Sequence, residues 1–363
     1  MPPSRQQTPT KPKAKQSASP VRRPKFGAAA TELPSLKAPV AFLATHLTSW
    51  YLENRRELPW RVNRDPYRIW ISEVMLQQTT VTAVIPYYEK FMHEFPELHL
   101  LARAPVERVL ELWTGLGYYS RARNLHKSAQ ALAALTEWPR THEALLEQPG
   151  FGPYTSRAVS SLAFGESVGV LDGNVIRVLS RVAGAPIEHW TNKGRLVLQD
   201  LADRVAREGD PAVINQGMME LGATICTPKS PQCLLCPWFD PCESRKANSQ
   251  AQLPLKKPRK DIETWVWVPT LHLKGDKVGL VKNDYAPFLK GQWMFPGRAE
   301  RRAQKPKKFD LRHGITHHDI YVHIEDGTSA RPKDLEWVSI RELTKWNPSI
   351  LLRKVLENRR AKA

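Results

Sequence analysis

The chain has 363 residues, 41% of them hydrophobic, which is enough for two domains with cores of their own and excludes wholesale disorder. Its 54 Lys+Arg against 36 Asp+Glu leave a formal charge of +18, which favours a polyanionic partner because neutralised phosphates release counterions. An anionic membrane surface or a solvated basic tail would account for the same total, but no run of about 18 apolar residues exists to span a bilayer.

Residues 1–40 hold eight prolines and eight Lys/Arg against one acid, Glu32, and read as a disordered basic arm. From Leu43 to about Asp240 apolar residues recur at helical spacing, which predicts an all-α body. Asp65-Pro66 supplies an N-cap and a first-turn proline for a helix over Tyr67–Gln78. Further helices are predicted at 80–93, 105–114, 120–135, 142–147, 154–164, 174–184, 194–207 and 211–225, with short breakers such as Gly115-Leu116-Gly117 and Pro149-Gly150-Phe151-Gly152 between them. Residues 246–261 read as a basic linker. Beyond it, 264–268, 278–281 and 320–323 have strand character and 339–357 helical character, giving a smaller α+β domain over 262–363.

All four cysteines lie in one stretch, Cys226-x6-Cys233-x2-Cys236-x5-Cys242, so a secreted disulfide framework is not expected and four thiolates can converge on one metal centre. Structural zinc usually joins two short Cys pairs through a longer spacer, whereas an iron–sulfur cluster accommodates this uneven spacing more readily; both readings stay open on spacing alone. Lys229, Arg245 and Lys246 flank the loop and could reach phosphates.

Gly150 and Gly152 permit a tight turn between two helices and expose backbone N–H groups at a helix start, where a phosphate is favoured. This is a helix-hairpin-helix signature, although a plain helical turn would look the same. Asp172, in Leu171-Asp172-Gly173-Asn174, stands at a helix entrance whose dipole favours its ionised form, although for an isolated Asp an ordinary N-cap is the commoner explanation. Glu73 lies inside a helix among Ile69, Trp70, Ile71, Val74 and Met75, surroundings that hold its proton to higher pH as a general acid requires; an exposed Glu on a polar face is the plainer alternative. A proton donor and an anion together suit departure of a leaving group from a sugar.

Leu58-Pro59-Trp60-Arg61, Asp65–Thr79, Trp113–Leu125, the hairpin, Leu171–Asn174 and the cysteine loop, taken in order, resemble the MutY-type adenine DNA glycosylases of the endonuclease III superfamily. The resemblance covers residues 43–245 and implies a mainly α helix-hairpin-helix glycosylase domain with an iron–sulfur loop, followed by a smaller α+β Nudix-like domain. It implies excision of adenine mispaired with 8-oxoguanine, and also with guanine, from double-stranded DNA, after the nucleotide is extruded from the helix. Glu73 would protonate the base and Asp172 stabilise the sugar cation, with Asn174 and Tyr154 in support. Trp60, Arg61 and Gln216 would line the adenine pocket, Gln78 and Tyr118 would wedge into the duplex, and Cys226, Cys233, Cys236 and Cys242 would hold a [4Fe–4S] cluster. Bifunctional relatives carry a lysine at position 154, so Tyr154 implies base removal without strand cleavage.

In the second domain the resemblance is weaker. Leu289–Gly297 is similar to a strand-turn of the family's 8-oxoguanine-reading domain, and Ile315-Thr316-His317 takes the place of its Phe-Ser-His loop, which makes Thr316 and His317 candidate lesion contacts. The acidic helix of Nudix pyrophosphate hydrolysis is absent. Two alternatives are a noncatalytic iron–sulfur DNA-binding or redox-sensing protein, which would not need both Glu73 and Asp172, and a glycosylase/lyase, which would carry Lys at 154. A monomer without membrane attachment is expected, in a bacterial cytoplasm ahead of a nucleus or mitochondrion, since no apolar signal-peptide core is present at the N-terminus.

Overall fold

The computed structural model describes residues 32, 36–258, 261–327 and 334–362, so all but a few residues of the basic arm read over 1–40 lie outside the described residues. The chain packs as two units that divide between Lys257 and Pro258. No described helix is long and apolar enough to cross a membrane.

The first unit is helical: α1 Val40–Asn54, α2 Pro66–Leu76, α3 Val81–Glu94, α4 Leu98–Arg103, α5 Val106–Leu112, α6 Tyr119–Ala133, α7 His142–Leu146, α8 Pro153–Phe164, α9 Gly173–Val182, α10 Asn192–Ala206, α11 Pro211–Thr224 and the short α12 Glu243–Lys246. The starts follow the local chemistry. Asp65 Oδ1 accepts from the N–H groups of Tyr67 at 2.8 Å and Arg68 at 3.2 Å, Thr141 and Thr191 cap α7 and α10, and Pro153 and Pro211 open α8 and α11. From α3 onward the spans predicted from sequence agree with these helices to two residues or fewer. The structure corrects the end of α2, which stops at Leu76 because Gln77 leaves the helical region and Gln78 is left-handed, and it adds α1, α4 and α12, the last two too short for a periodic signal.

Two apolar cores fill this unit. One gathers Trp70, Phe91, Trp113 and Phe151 beneath α2, α3, α6 and α8; the other gathers Leu47, Leu179, Leu201 and Trp238 around α1, α9, α10 and α11, and Met219 packs against both. The seam between them is where α2 and α9 bring their carboxylates.

The linker expected over 246–261 is in its first part no linker. Arg181 Nε donates at 3.0 Å to the carbonyls of Gln250 and Leu253, and Leu253 is buried, so the chain is anchored to the helical unit well past the cysteines.

The second unit is built on β1 Glu263–Leu271, with β2 Leu273–Lys274, β3 Lys277–Lys282, β4 Trp293–Met294, β5 Gly297–Arg302, β6 Leu311–Ile315, β7 His318–Val322, β8 Glu325–Asp326 and β9 Glu336–Ser339, then α13 Leu343–Trp346 and α14 Ile350–Lys362. One sheet runs β5-β1-β7-β6, with β1 parallel to β7 and the outer pairs antiparallel; the other runs β2-β3-β4 with β9 on β3. Trp267, Phe288 and Phe295 centre its core, which Leu351, Leu352 and Val355 of α14 complete. The strands read from sequence are β1, β3 and β7. Strand β5 was missed because its residues, Gly-Arg-Ala-Glu-Arg-Arg, are polar and mostly exposed, as an edge strand permits. Ser339 ends a strand instead of starting a helix.

Candidate active site

A cavity of about 820 Å³ in the helical unit is lined by Trp60, Arg61, Glu73, Gln78, Tyr154, Asp172, Asn174 and Gln216, residues that five separate segments contribute. Glu73 reaches it from the buried face of α2. The Tyr154 hydroxyl, one residue into α8, donates to Glu73 Oε2 at 2.6 Å and also lies 3.7 Å from Met219 Sδ. Burial pushes the Glu73 pKa up to about 7, partly opposed by the Tyr154 hydrogen bond and raised further by the charge of Asp172. Burial also holds the Tyr154 phenol well above its ordinary range, so it stays a donor.

Asp172 caps α9. Its Oδ1 accepts from the Val175 N–H at 2.7 Å and its Oδ2 from Asn174 Nδ2 at 2.9 Å. The helix entrance alone predicts a lowered pKa, and here the structure corrects the sequence reading: burial outweighs the hydrogen bonds and moves the carboxyl above its usual value. Asn174 is fixed in turn by Arg177, whose Nη2 donates to Asn174 Oδ1 at 2.7 Å while its Nε donates to the Cys226 carbonyl at 2.7 Å. One guanidinium thus joins the carboxylate site to the first residue of the cysteine loop.

The wall opposite holds an ion-pair network that sequence reasoning missed. Glu220, fully buried at its side chain, takes Arg61 Nη2 at 2.9 Å and Arg56 Nη2 at 3.0 Å. Burial opposes its ionisation, but the two guanidinium groups prevail and hold it below the usual carboxylate range. Glu220 stands four residues after Gln216 on α11, so helical spacing was the signal that could have found it. Tyr51 donates to Gln216 Oε1 at 3.0 Å, which occupies the amide oxygen and leaves the amide N–H groups as the donors available to a ligand.

Gly150 takes φ +80°, and a Cβ there would meet Ser128 Oγ at 2.3 Å; Ser128 Oγ donates to the Pro149 carbonyl, tying the hairpin to α6. Gly152 is the N-cap of α8 with open space around it. Tyr118 is 60% exposed and, like Gln78, left-handed.

Cys226, Cys233, Cys236 and Cys242 line one small cavity with Arg181, Trp238 and Gln250, and none is in a disulfide. Arg181 Nη1 lies 3.3 Å from Cys226 Sγ and Gln250 Nε2 3.8 Å from Cys233 Sγ, donors of the kind that accompany metal-bound thiolates. Burial pushes the Cys236 thiol up to about 12, so a cation is what would let these sulfurs ionise together. The donor set fits a four-thiolate group. Of the flanking cations, Lys229 is exposed, but Arg245 stacks 3.9 Å from the Phe239 ring centroid and Lys246 pairs with Glu243, so those two are engaged within the loop.

In the second unit Thr316 and His317 form the turn between β6 and β7, with Thr316 exposed and left-handed at φ +52°. His317, His318 and Glu263 bring ligand atoms within 4.8 Å of one another, but Arg301 lies 3.3 Å from the Glu263 carboxylate and already meets its charge.

A family model described as HhH-GPD superfamily base excision DNA repair protein matches residues 71–203. An adenine DNA glycosylase of Mus musculus is 41% identical over 237 residues, covering 62% of this chain and 46% of that protein. One from Buchnera aphidicola subsp. Baizongia pistaciae is 32% identical over 302 residues, covering 78% and 85%. The chain therefore spans less than half the length of its mammalian relative and most of the bacterial one. Among solved structures, a thermostable thymine-DNA glycosylase superposes with a TM-score of 0.53 at 29% identity, over 57% of this chain and 97% of that one.

Proposed function

The chain belongs to the adenine DNA glycosylase family of helix-hairpin-helix base-excision proteins, and from that premise we propose that it removes adenine opposite 8-oxoguanine from duplex DNA by hydrolysis of the N-glycosidic bond. The observation that carries the reading is the pairing of Glu73, its pKa pushed to about 7 by burial, with Asp172 in one cavity. Glu73 would give its proton to the adenine ring as the glycosidic bond lengthens, and Tyr154 would hold the carboxylate that remains. Asp172, held by Val175 N–H and Asn174, would face the positive charge that develops on the sugar carbon. Trp60 supplies an apolar wall, while Arg61, fixed by Glu220, and the amide N–H groups of Gln216 supply donors to the acceptor nitrogens of the base.

Among the described residues, no lysine lines the cavity. With a neutral phenol at position 154 no amine is placed to attack the sugar, so base removal without strand cleavage is expected. Cys226, Cys233, Cys236 and Cys242 would hold a [4Fe–4S] cluster, which when bound supplies a covalent staple for the loop that Arg177 and Arg181 tie to α9. The sheet unit would serve as a Nudix-like lesion reader, with Thr316 and His317 the residues that would contact 8-oxoguanine.

The test is single-turnover excision on a labelled duplex with adenine opposite 8-oxoguanine, read with and without alkali. Strand breaks only after alkali are expected. Breaks without alkali would establish lyase chemistry instead, and no breaks under either condition would favour a noncatalytic DNA-binding role.

A further inference from the structure

Arg121 stands at the start of α6, outside the cavity, and its guanidinium gathers two turns that are far apart in sequence. Nη1 donates to the carbonyls of Val74 at 3.0 Å, Met75 at 3.3 Å and Gln77, and Nη2 approaches the Leu116 carbonyl at 3.5 Å. The first two belong to the last turn of α2 and Gln77 is its C-cap, a helix end where a cation is favoured by both hydrogen bonding and the helix dipole. The group also lies 5.4 Å from the Tyr118 ring centroid and 5.7 Å from that of Trp113. Its Nε–H is buried without an acceptor among the described residues, so the side chain is placed to serve these two turns at the expense of its own hydrogen bonding.

Each turn carries an exposed residue in the left-handed region, Gln78 at φ +60° and Tyr118 at φ +51°. Non-glycine residues rarely hold that conformation unless the surroundings over-determine it. Arg121 is the shared surrounding: it binds the carbonyl just before Gln78, stacks under Tyr118, and grips the helix end one residue beyond Glu73.

We propose that Arg121 is a positioning residue that holds Gln78 and Tyr118 at a fixed separation and couples both to the helix bearing the proton donor, so that base extrusion delivers adenine in register with Glu73. This rests on the reading of the cavity as a base-extruding glycosylase site. A lysine could keep the charge, but it lacks the planar fork that reaches three carbonyls while stacking on a ring.

The test compares wild type, Arg121→Lys and Gly117→Ala in single-turnover excision. Gly117 lies at φ +72° with open space around it, so alanine strains the turn before Tyr118 without a clash and serves if the arginine variant does not fold. Two substrates are used: a fully paired duplex around the adenine–8-oxoguanine mispair, and one with mismatched flanking pairs that leave the adenine already unstacked. Loss of roughly 10- to 100-fold is expected on the paired duplex, shrinking to a few-fold on the opened one, because misplacement of about an ångström costs on that order. Fluorescence of 2-aminopurine next to the adenine should show slowed unstacking on the paired duplex only. In a Gln78→Ala/Tyr118→Ala background Arg121→Lys should add little further loss. Equal losses on both substrates, or a full additional loss in that background, would overturn the proposal. Absence of excision by the wild type on both substrates would instead remove the base-removal reading, and this inference with it.

Discussion

Glu73 is buried and accepts a 2.6 Å hydrogen bond from Tyr154, whereas Thr316, a candidate of the second unit, stands exposed on a two-residue turn with its hydroxyl bonded to the Ile315 carbonyl and its neighbour His317. The helical unit fixes its chemistry by desolvation and by hydrogen bonds that pass from residue to residue: Tyr154 to Glu73, Asn174 to Asp172, Arg177 to Asn174. The sheet unit presents Thr316 to solvent on its turn, with His317 half-buried against His318. Desolvated groups have shifted proton affinities and large consequences when altered; exposed ones act by shape and lose little singly. Under the proposed function, chemistry would fall to the first unit and reading of the lesion to the second.

The largest effect that would break this contrast is at Glu73. Glu73→Gln keeps the shape and removes the proton, so excision should fall by about 10²- to 10⁴-fold while binding to the mispair persists, measured by single-turnover kinetics beside a filter-binding titration. Comparable excision by the variant would detach the buried carboxyl from the chemistry.

The same variant should sharpen the contrast in stability. The folded-state pKa of Glu73 is raised, so the folded protein binds the proton more tightly than the unfolded chain does. The stability this confers is full below the unfolded value near 4.5 and is lost as pH rises to about 7. Burial therefore costs the wild type about 3 kcal/mol at pH 8 relative to acid conditions, a penalty glutamine does not carry. Urea unfolding should find Glu73→Gln the more stable protein at pH 8, with the difference closing toward pH 5; an equal difference at both would mean that the carboxyl is not desolvated.

The smallest effect belongs to the sheet unit. His317→Ala should leave excision opposite guanine unchanged and reduce the preference for 8-oxoguanine by about 1 kcal/mol or less, as loss of one exposed hydrogen bond implies. A loss of excision on both mispairs would place His317 in the chemistry and erase the distinction between the units.

What could be read from sequence follows the same division. Helix starts were legible where an Asp cap and a proline act locally, as at Asp65-Pro66, but the carboxylate pair was picked out only by the family resemblance, since apolar neighbours for Glu73 and a helix entrance for Asp172 each have a plainer explanation. The upward shift of Asp172 was not legible, since it comes from burial by residues distant in the chain. Nor were Glu220 and Arg121, whose partners lie 164 and 47 residues away and are set only by packing. In the sheet unit, β5 carries no apolar alternation, and the left-handed Thr316 has no glycine to announce it.

The central claim is that the Glu73 proton drives excision. Its most direct test is the pH dependence of single-turnover excision of adenine opposite 8-oxoguanine. Above about pH 7 the rate should fall tenfold per unit, as the required Glu73 proton is lost, with Glu73→Gln near zero throughout. A wild-type rate that stays flat or rises through pH 8 would contradict it.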